Sequence, residues 1–341
     1  MKAAVYNPYL DTLGGGERYT MAFSKVLSDE GYKVDVEWKD REIKKKLEER
    51  FGFDLKEINF INDIKRGDGY EVCFWVTDGS IPLLRARKNF LHFQLPFKDV
   101  NGKSLLNKMK FFRISKIICN SHFTKRFVDG EYGVESIVLY PPVDLNAFKP
   151  KRKENLIIYV GRFSQLAQAK RQDVLIDAFK KMCQKRVGGW KLILAGGVDV
   201  GVGEFLLNIK KESLGFPIEI VESPNFRRLK GFYGEAKIFW SASGFGIDEK
   251  EEPEKVEHFG ISVVEAMSAK AAPLVFSAGG HREIIKDEEN GFLWESKSEL
   301  INKTMNLINS PKRLHDISKR AQVDSVHFGY EKFREKVLEL I

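Results

Sequence analysis

Short apolar runs recur along the chain, separated by stretches of helical periodicity. AAVYN (3–7), VDVEW (34–38), YEVCFWV (70–76), NFLHFQL (89–95), KIICNS (116–121) and SIVLYPPV (136–143) are rich in β-branched and aromatic residues. They read as buried parallel strands, and the intervening periodicity as the helices of βα units. A second series restarts with NLIIYVG (155–161) and continues through KLILAGG, IEIVES, KIFWSAS, APLVFS and GFLW, ending near Trp294. Beyond Trp294 the pattern is helical, and the final YEKFREKVLELI sets Phe333, Val337 and Leu340 at helical spacing. The expectation is therefore an α/β protein with two Rossmann-like, doubly wound domains. The polar, basic stretch VDLNAFKPKRKEN (143–155), with Pro150, reads as the linker. The domains then run 1–148 and 149–325, with a closing helical segment at 326–341. Such sheets bind ligands at strand carboxyl ends, so a site in a cleft between the domains is expected.

Composition changes this picture little. Of the 341 residues 43% are apolar and 30% charged, which is ordinary globular usage and argues against disorder. Cys73, Cys119 and Cys183 are scattered without C-x-x-C spacing, so neither a disulfide framework nor a zinc site is indicated. The opening MKAAVYNPYL lacks the apolar core of a signal peptide, and no apolar run is long enough to span a bilayer. A cytoplasmic protein is the expectation.

A net charge of +8 admits acidic partners: nucleic acid, anionic lipid or phosphorylated small molecules. The basic residues are spread, and no helix-turn-helix, RRM or zinc-finger signature is found, so nucleic acid is not expected. One segment is more pointed. KSLLNKMKFFRISK (103–116) puts Leu105, Leu106, Met109 and Phe112 on one helical face, with Lys103, Lys108, Lys110, Arg113 and Lys116 around it. It reads either as a face packed into the core or as an interfacial helix on the inner, anionic face of a membrane.

Three places carry candidate chemistry. Gly14, Gly15 and Gly16 stand between the first strand and a helix, where backbone can approach an anion. Tyr19 occupies the third glycine of a dinucleotide fingerprint, and a plain tight turn also accounts for them. Arg162 leaves the strand of NLIIYVG, and Lys170 begins the next helix, whose Leu175, Ile176, Phe179 and Met182 form an apolar stripe. Two cations at a strand edge suit a diphosphate; they also suit a solvated loop. In PEKVEHFGISVVEAMSAK (253–270), Glu257 and Glu265 flank seven residues beginning HFGI. Ser262 and Glu265 have the spacing of a capping box, whereas Glu257 has no such account. A helix starting near Ser262 would leave the amides of Ile261 to Val263 to point at phosphate.

Together LGGGERY, HFQLPF, NSHFTKRF, YPPVD, VGRF…KRQDVLIDAF, FWSASGFG and EHFGISVVEAM, in this order, resemble the retaining family-4 glycosyltransferases of the GT-B fold. The resemblance covers nearly the whole chain. It implies that the second domain holds a nucleotide-sugar donor, the first much of a glycan or lipid-linked acceptor, and that the last helix crosses back to the first domain. It further implies that Glu265 binds the donor ribose, Glu257 lies beside the transferred sugar, and Arg162 and Lys170 hold the diphosphate. Gly15 and Gly16 would approach the same phosphates; Phe259, Gly260, Ile261 and Ser262 would offer backbone contacts; His92 would reach sugar hydroxyls or the reacting edge. A lone histidine on an apolar strand is equally a satisfied core residue. The pattern departs at Lys270, where relatives place glycine, and at Ser241, where they often show histidine.

The expected reaction is metal-independent hexosyl transfer with retention and no cofactor, the cations and helix amides stabilising charge on the leaving diphosphate. Competing readings are a sugar-nucleotide epimerase or hydrolase on the same fold and a metal-dependent transferase using Asp35 and Glu37. Alternation along VDVEW accounts for those two residues as one exposed strand face. Ala278 to His281 reads as an ordinary glycine turn.

Overall fold

Both series of apolar runs become parallel sheets. The computed structural model describes residues 1–164, 170–185, 187–199 and 201–341. The chain divides into two units: Met1–Pro142 together with Tyr330–Ile341, and Val143–Gly329.

The first unit contains strands β1 (Lys2–Tyr6), β2 (Lys33–Glu37), β3 (Ile58–Ile61), β4 (Val72–Val76), β5 (Lys88–Phe93), β6 (Lys116–Cys119) and β7 (Ile137–Val138). Their order is β3-β2-β1-β4-β5-β6-β7, all parallel. Helices α1 (Gly15–Asp29), α2 (Ile43–Phe51), α3 (Leu105–Phe111) and α4 (His122–Tyr132) connect them. The second unit contains β8 (Glu154–Val160), β9 (Lys191–Gly196), β10 (Ile218–Glu222), β11 (Ala236–Ser241), β12 (Ala272–Phe276) and β13 (Phe292–Trp294). Their order, β10-β9-β8-β11-β12-β13, reverses direction between β8 and β11, the place where doubly wound sheets open a crevice. Its helices are α5 (Gln172–Gln184), α6 (Gly203–Ser213), α7 (Phe226–Glu235), α8 (Ile261–Ser268), α9 (His281–Ile284), α10 (Lys297–Ile308) and α11 (Pro311–Asp324). The final helix, α12 (Tyr330–Leu338), belongs to the first unit.

The strands form where continuous apolar runs bury both faces: Leu156, Ile157, Ile158 and Tyr159 of β8 are all in the core. β3 was not among the expected strands. It is short and lies at the sheet edge, where INFI gives too brief a run to separate it from a turn. α1 lays Phe23 on Phe74 of β4 at 4.1 Å and carries Tyr19, which meets Phe333 of α12 edge-on at 5.2 Å. Arg334 of α12 also pairs with Glu30. The three cysteines are free, and among the described residues no helix is long and apolar enough to cross a membrane.

Three expectations are corrected by packing. Asp35 is buried, not part of an exposed strand face; its carboxylate accepts from Asn59 Nδ2 at 3.0 Å and Tyr70 Oη at 2.9 Å, while Glu37 accepts from the Ile64 amide. The apolar face of 103–116 does not enter the core, and α3 buries none of its residues. At the end of α8, Lys270 takes the left-handed conformation itself, φ 62°, with its amide on the Met267 carbonyl and that of Ala271 on Ala266. The glycine is gone but the geometry it normally serves is kept.

That conformation costs an L-residue about 1 kcal/mol. Lys270→Gly is therefore expected to raise the melting temperature by about 2–4 °C, read by differential scanning calorimetry.

Candidate active site

Two loops at the carboxyl edge of the second sheet bring a cation and a carboxylate together. Lys170 lies just ahead of α5, outside the helix, whose cap Arg171 is left-handed at φ 50°. Its Nζ donates to Glu257 Oε2 at 2.7 Å, and both side chains are about 15% exposed. Burial alone would push the Glu257 carboxyl up, but Lys170 and the nearby His281 and His258 outweigh it and hold the group below its ordinary value. The carboxylate is therefore ionised at neutral pH. The residues between Ser164 and Lys170 lie outside those described.

Both neighbouring histidines are buried. Burial drives His258 down to about 4, its Nε2 lying 3.1 Å from the Glu254 carbonyl. His281 is lowered for the same reason and sits with Nδ1 2.8 Å from the Phe276 carbonyl, fixing the ring. Both rings are neutral at pH 7, so the fixed charges here are Lys170 and Glu257.

Gly260 caps α8 at φ 116°, a conformation open to glycine and strained for other residues. The capping box foreseen for Ser262 and Glu265 does not form. Helix α8 starts at Ile261, and Glu265 Oε2 instead accepts from Tyr233 Oη at 2.8 Å. The Val263 amide bonds the Gly260 carbonyl at 3.0 Å, so the expected trio of phosphate-facing amides shrinks to Ile261 and Ser262. Phe259 is buried edge-on against Phe328. Arg162 follows β8, half exposed, its guanidinium 3.8 Å from Asp199, a loose pairing. Ser241 is buried and shares a hydroxyl contact with Ser243.

The other expected residues belong to the first unit. Gly15 and Gly16 form the first turn of α1, where the Gly14 amide donates to Glu17 Oε2 at 2.7 Å. His92, on β5, has no exposed surface. Its ring stacks on Tyr19 at 4.2 Å and on Phe74 at 5.4 Å. Neither ring nitrogen reaches a partner at normal hydrogen-bond geometry, the Ile118 backbone offering only weak compensation, and burial lowers its pKa to about 3. The structure thus joins Lys170 to Glu257, places Arg162, Gly260, Ile261 and Glu265 in the same unit, and sets His92 in the core of the other.

A sequence model of the family described as glycosyl transferases group 1 matches residues 144–324, just over half of the chain. The chain belongs to the glycosyl transferases group 1 family. Curated relatives include a GDP-Man:Man(3)GlcNAc(2)-PP-Dol alpha-1,2-mannosyltransferase of Dictyostelium discoideum, 24% identical over 71% of this chain and 54% of the relative. An uncharacterized glycosyltransferase of Methanocaldococcus jannaschii is 26% identical over 64% of this chain and 56% of that protein. The chain spans about half the length of these relatives. Among solved structures, Anabaena HepE in complex with UDP superposes with TM-score 0.79 at 16% identity over 99% of each chain. A glycosyltransferase from Rickettsia africae gives 0.77 at 18% identity over 99% of this chain and 97% of that one. The fold of the chain is GT-B.

One part of the candidate site escaped the sequence. The turn at Gly279 and Gly280, taken there as an ordinary loop, runs directly beneath the Glu257 loop. The Gly280 amide donates to the Glu257 carbonyl at 2.8 Å, and a Cβ on Gly280 would lie 2.4 Å from the His258 carbonyl oxygen and Phe259 Cα. The turn holds the backbone that carries Glu257. Its signal was present in the sequence: paired glycines at the end of β12, beside β11, whose exit leads to Glu257.

Gly280→Ala is expected to destabilise by about 1–3 kcal/mol and to lower sugar transfer at least tenfold, because backbone must move. Gly203→Ala, where a Cβ meets open space, should leave both unchanged. Transfer assays and thermal melts of the two variants check this. For His92, the folded pKa lies below the ordinary 6.5, so its stabilising contribution is complete above pH 6.5 and is lost as pH falls toward 3. At pH 5 that costs about 2 kcal/mol. His92→Phe keeps the stacking and should melt several degrees above the parent at pH 5, with a smaller difference at pH 8.

Proposed function

We propose that this glycosyltransferase moves a hexose from a nucleotide-diphosphate sugar to a hydroxyl of a glycan or lipid-linked acceptor, with retention and without a metal ion. The observation that carries the reading is the buried Lys170–Glu257 pair beside the first turn of α8. Breaking an anomeric carbon–oxygen bond leaves negative charge on a diphosphate and positive charge on the sugar. Arg162, Lys170 and the amides of Ile261 and Ser262 supply the field for the first. Glu257, ionised despite its burial, supplies the field for the second. Glu265, whose carboxylate accepts from Tyr233, is the group assigned to a ribose hydroxyl.

Two relatives support a nucleotide-sugar donor and a lipid-linked acceptor: a GDP-Man:Man(3)GlcNAc(2)-PP-Dol alpha-1,2-mannosyltransferase, and HepE in complex with UDP-glucose. Both donors are sugars carried on a nucleoside diphosphate.

GDP-mannose, UDP-glucose and related donors should be screened by thermal shift in EDTA. A bound donor in large excess should stabilise by about 2–4 kcal/mol. Arg162→Ala is expected to weaken donor binding by about tenfold or more, and Glu257→Gln to lower turnover at least a hundredfold while changing donor affinity much less. Product analysed by NMR should keep the donor's anomeric configuration. Turnover that stops in EDTA and returns with magnesium or manganese, or an inverted product, would sink the reading. Steady donor breakdown without acceptor would favour the hydrolase alternative.

A further inference from the structure

The apolar face of α3 is left bare within its own unit. Leu105 is 76% exposed, Leu106 62%, Met109 61% and Phe112 89%. Four large apolar side chains within eight residues are too many for an ordinary soluble surface.

The helix is not loosely attached. Ser104 caps it through the Asn107 amide, and Asn107 Nδ2 donates to the Gly102 carbonyl at 3.2 Å. Lys110 Nζ donates to the Ile81 carbonyl at 2.7 Å, and Phe111 meets Tyr132 edge-on. These contacts use the opposite face, so the bare one is held outward. Residues 98–116 carry six cations and a single carboxylate, Asp99, and Lys103, Lys108, Arg113 and Lys116 are exposed.

We propose that α3 docks this unit on the surface of an anionic lipid bilayer, with Leu105, Leu106, Met109 and Phe112 entering the headgroup and acyl boundary and the surrounding lysines meeting lipid phosphates. The pattern fits that occupant in both chemistry and size. An apolar stripe flanked by positive charge matches an anionic interface. Against a second copy of the same patch, those charges would repel. A seven-residue helix, roughly 10 Å long, also offers too little area for a stable dimer. Nucleic acid would use the cations but leave the four apolar groups in water. The surface lies on the first unit, so it does not depend on the donor chemistry assigned to the second.

The test is flotation of the full chain with vesicles of phosphatidylcholine alone or with about one third phosphatidylglycerol. The protein should float with the anionic vesicles, in a salt-sensitive way, and not with the neutral ones. Changing Leu105, Leu106, Met109 and Phe112 together to Ser should reduce retention by about tenfold or more, with melting temperature little changed because all four side chains are mostly exposed. Lys103→Glu with Lys108→Glu should do the same, at roughly fivefold or more per lysine. Donor binding by both variants should match the parent, which separates this surface from the sugar-transfer site. Absence of flotation, equal retention on neutral vesicles, or undiminished retention of the four-serine variant would each overturn the proposal. So would a parent dimer in sedimentation that Phe112→Ser converts to monomer.

Discussion

Lys170 and Glu257 meet in a place largely withdrawn from solvent. Taking an isolated carboxylate or ammonium out of water costs several kcal/mol, and removing one partner of such a pair leaves the other uncompensated. The pair therefore ties two loops to each other: the segment entering α5 and the segment entering α8. Glycines complete the arrangement. Gly260 permits the turn into α8, and Gly280 comes close enough to hydrogen-bond the Glu257 backbone. The position of Glu257 is fixed at its carboxylate and at its carbonyl.

Electrostatically the pair is close to neutral, which shapes what the site can do for an anion. The guanidinium of Arg162, only loosely associated with Asp199, and the first-turn amides of α8 are less committed than Lys170. A diphosphate that draws on Lys170 shares that ammonium with Glu257. Such sharing couples charge on the leaving group to charge beside the sugar, and both groups lie where solvent screens them weakly.

Strand positions were legible in the sequence because a parallel sheet buried on both faces demands continuous apolar runs, as in NLIIYVG and KIFWSAS. β3 was not, because an edge strand of four residues needs no such run. Arg162, Lys170, Glu257 and Glu265 stood out in the sequence as charges at strand ends and helix starts, and the Lys170–Glu257 contact is what folding adds to them. What the sequence could not carry was partnership. Nothing in the spacing of Ser262 and Glu265 tells that Tyr233, 32 residues earlier, takes the carboxylate that a cap would have used. Likewise the alternation of VDVEW is the same whether Asp35 faces water or Asn59 and Tyr70. For the 103–116 segment, periodicity identified the apolar face, but only tertiary packing decides whether a face is covered.

The return of α12 to the first unit has a consequence in time. Phe333 and Val337 complete the apolar layer over α1, yet they are synthesised after every strand of the second unit. During translation Tyr19 and Phe23 lack their last neighbours until some three hundred residues later, so the half of the molecule that begins first is finished last.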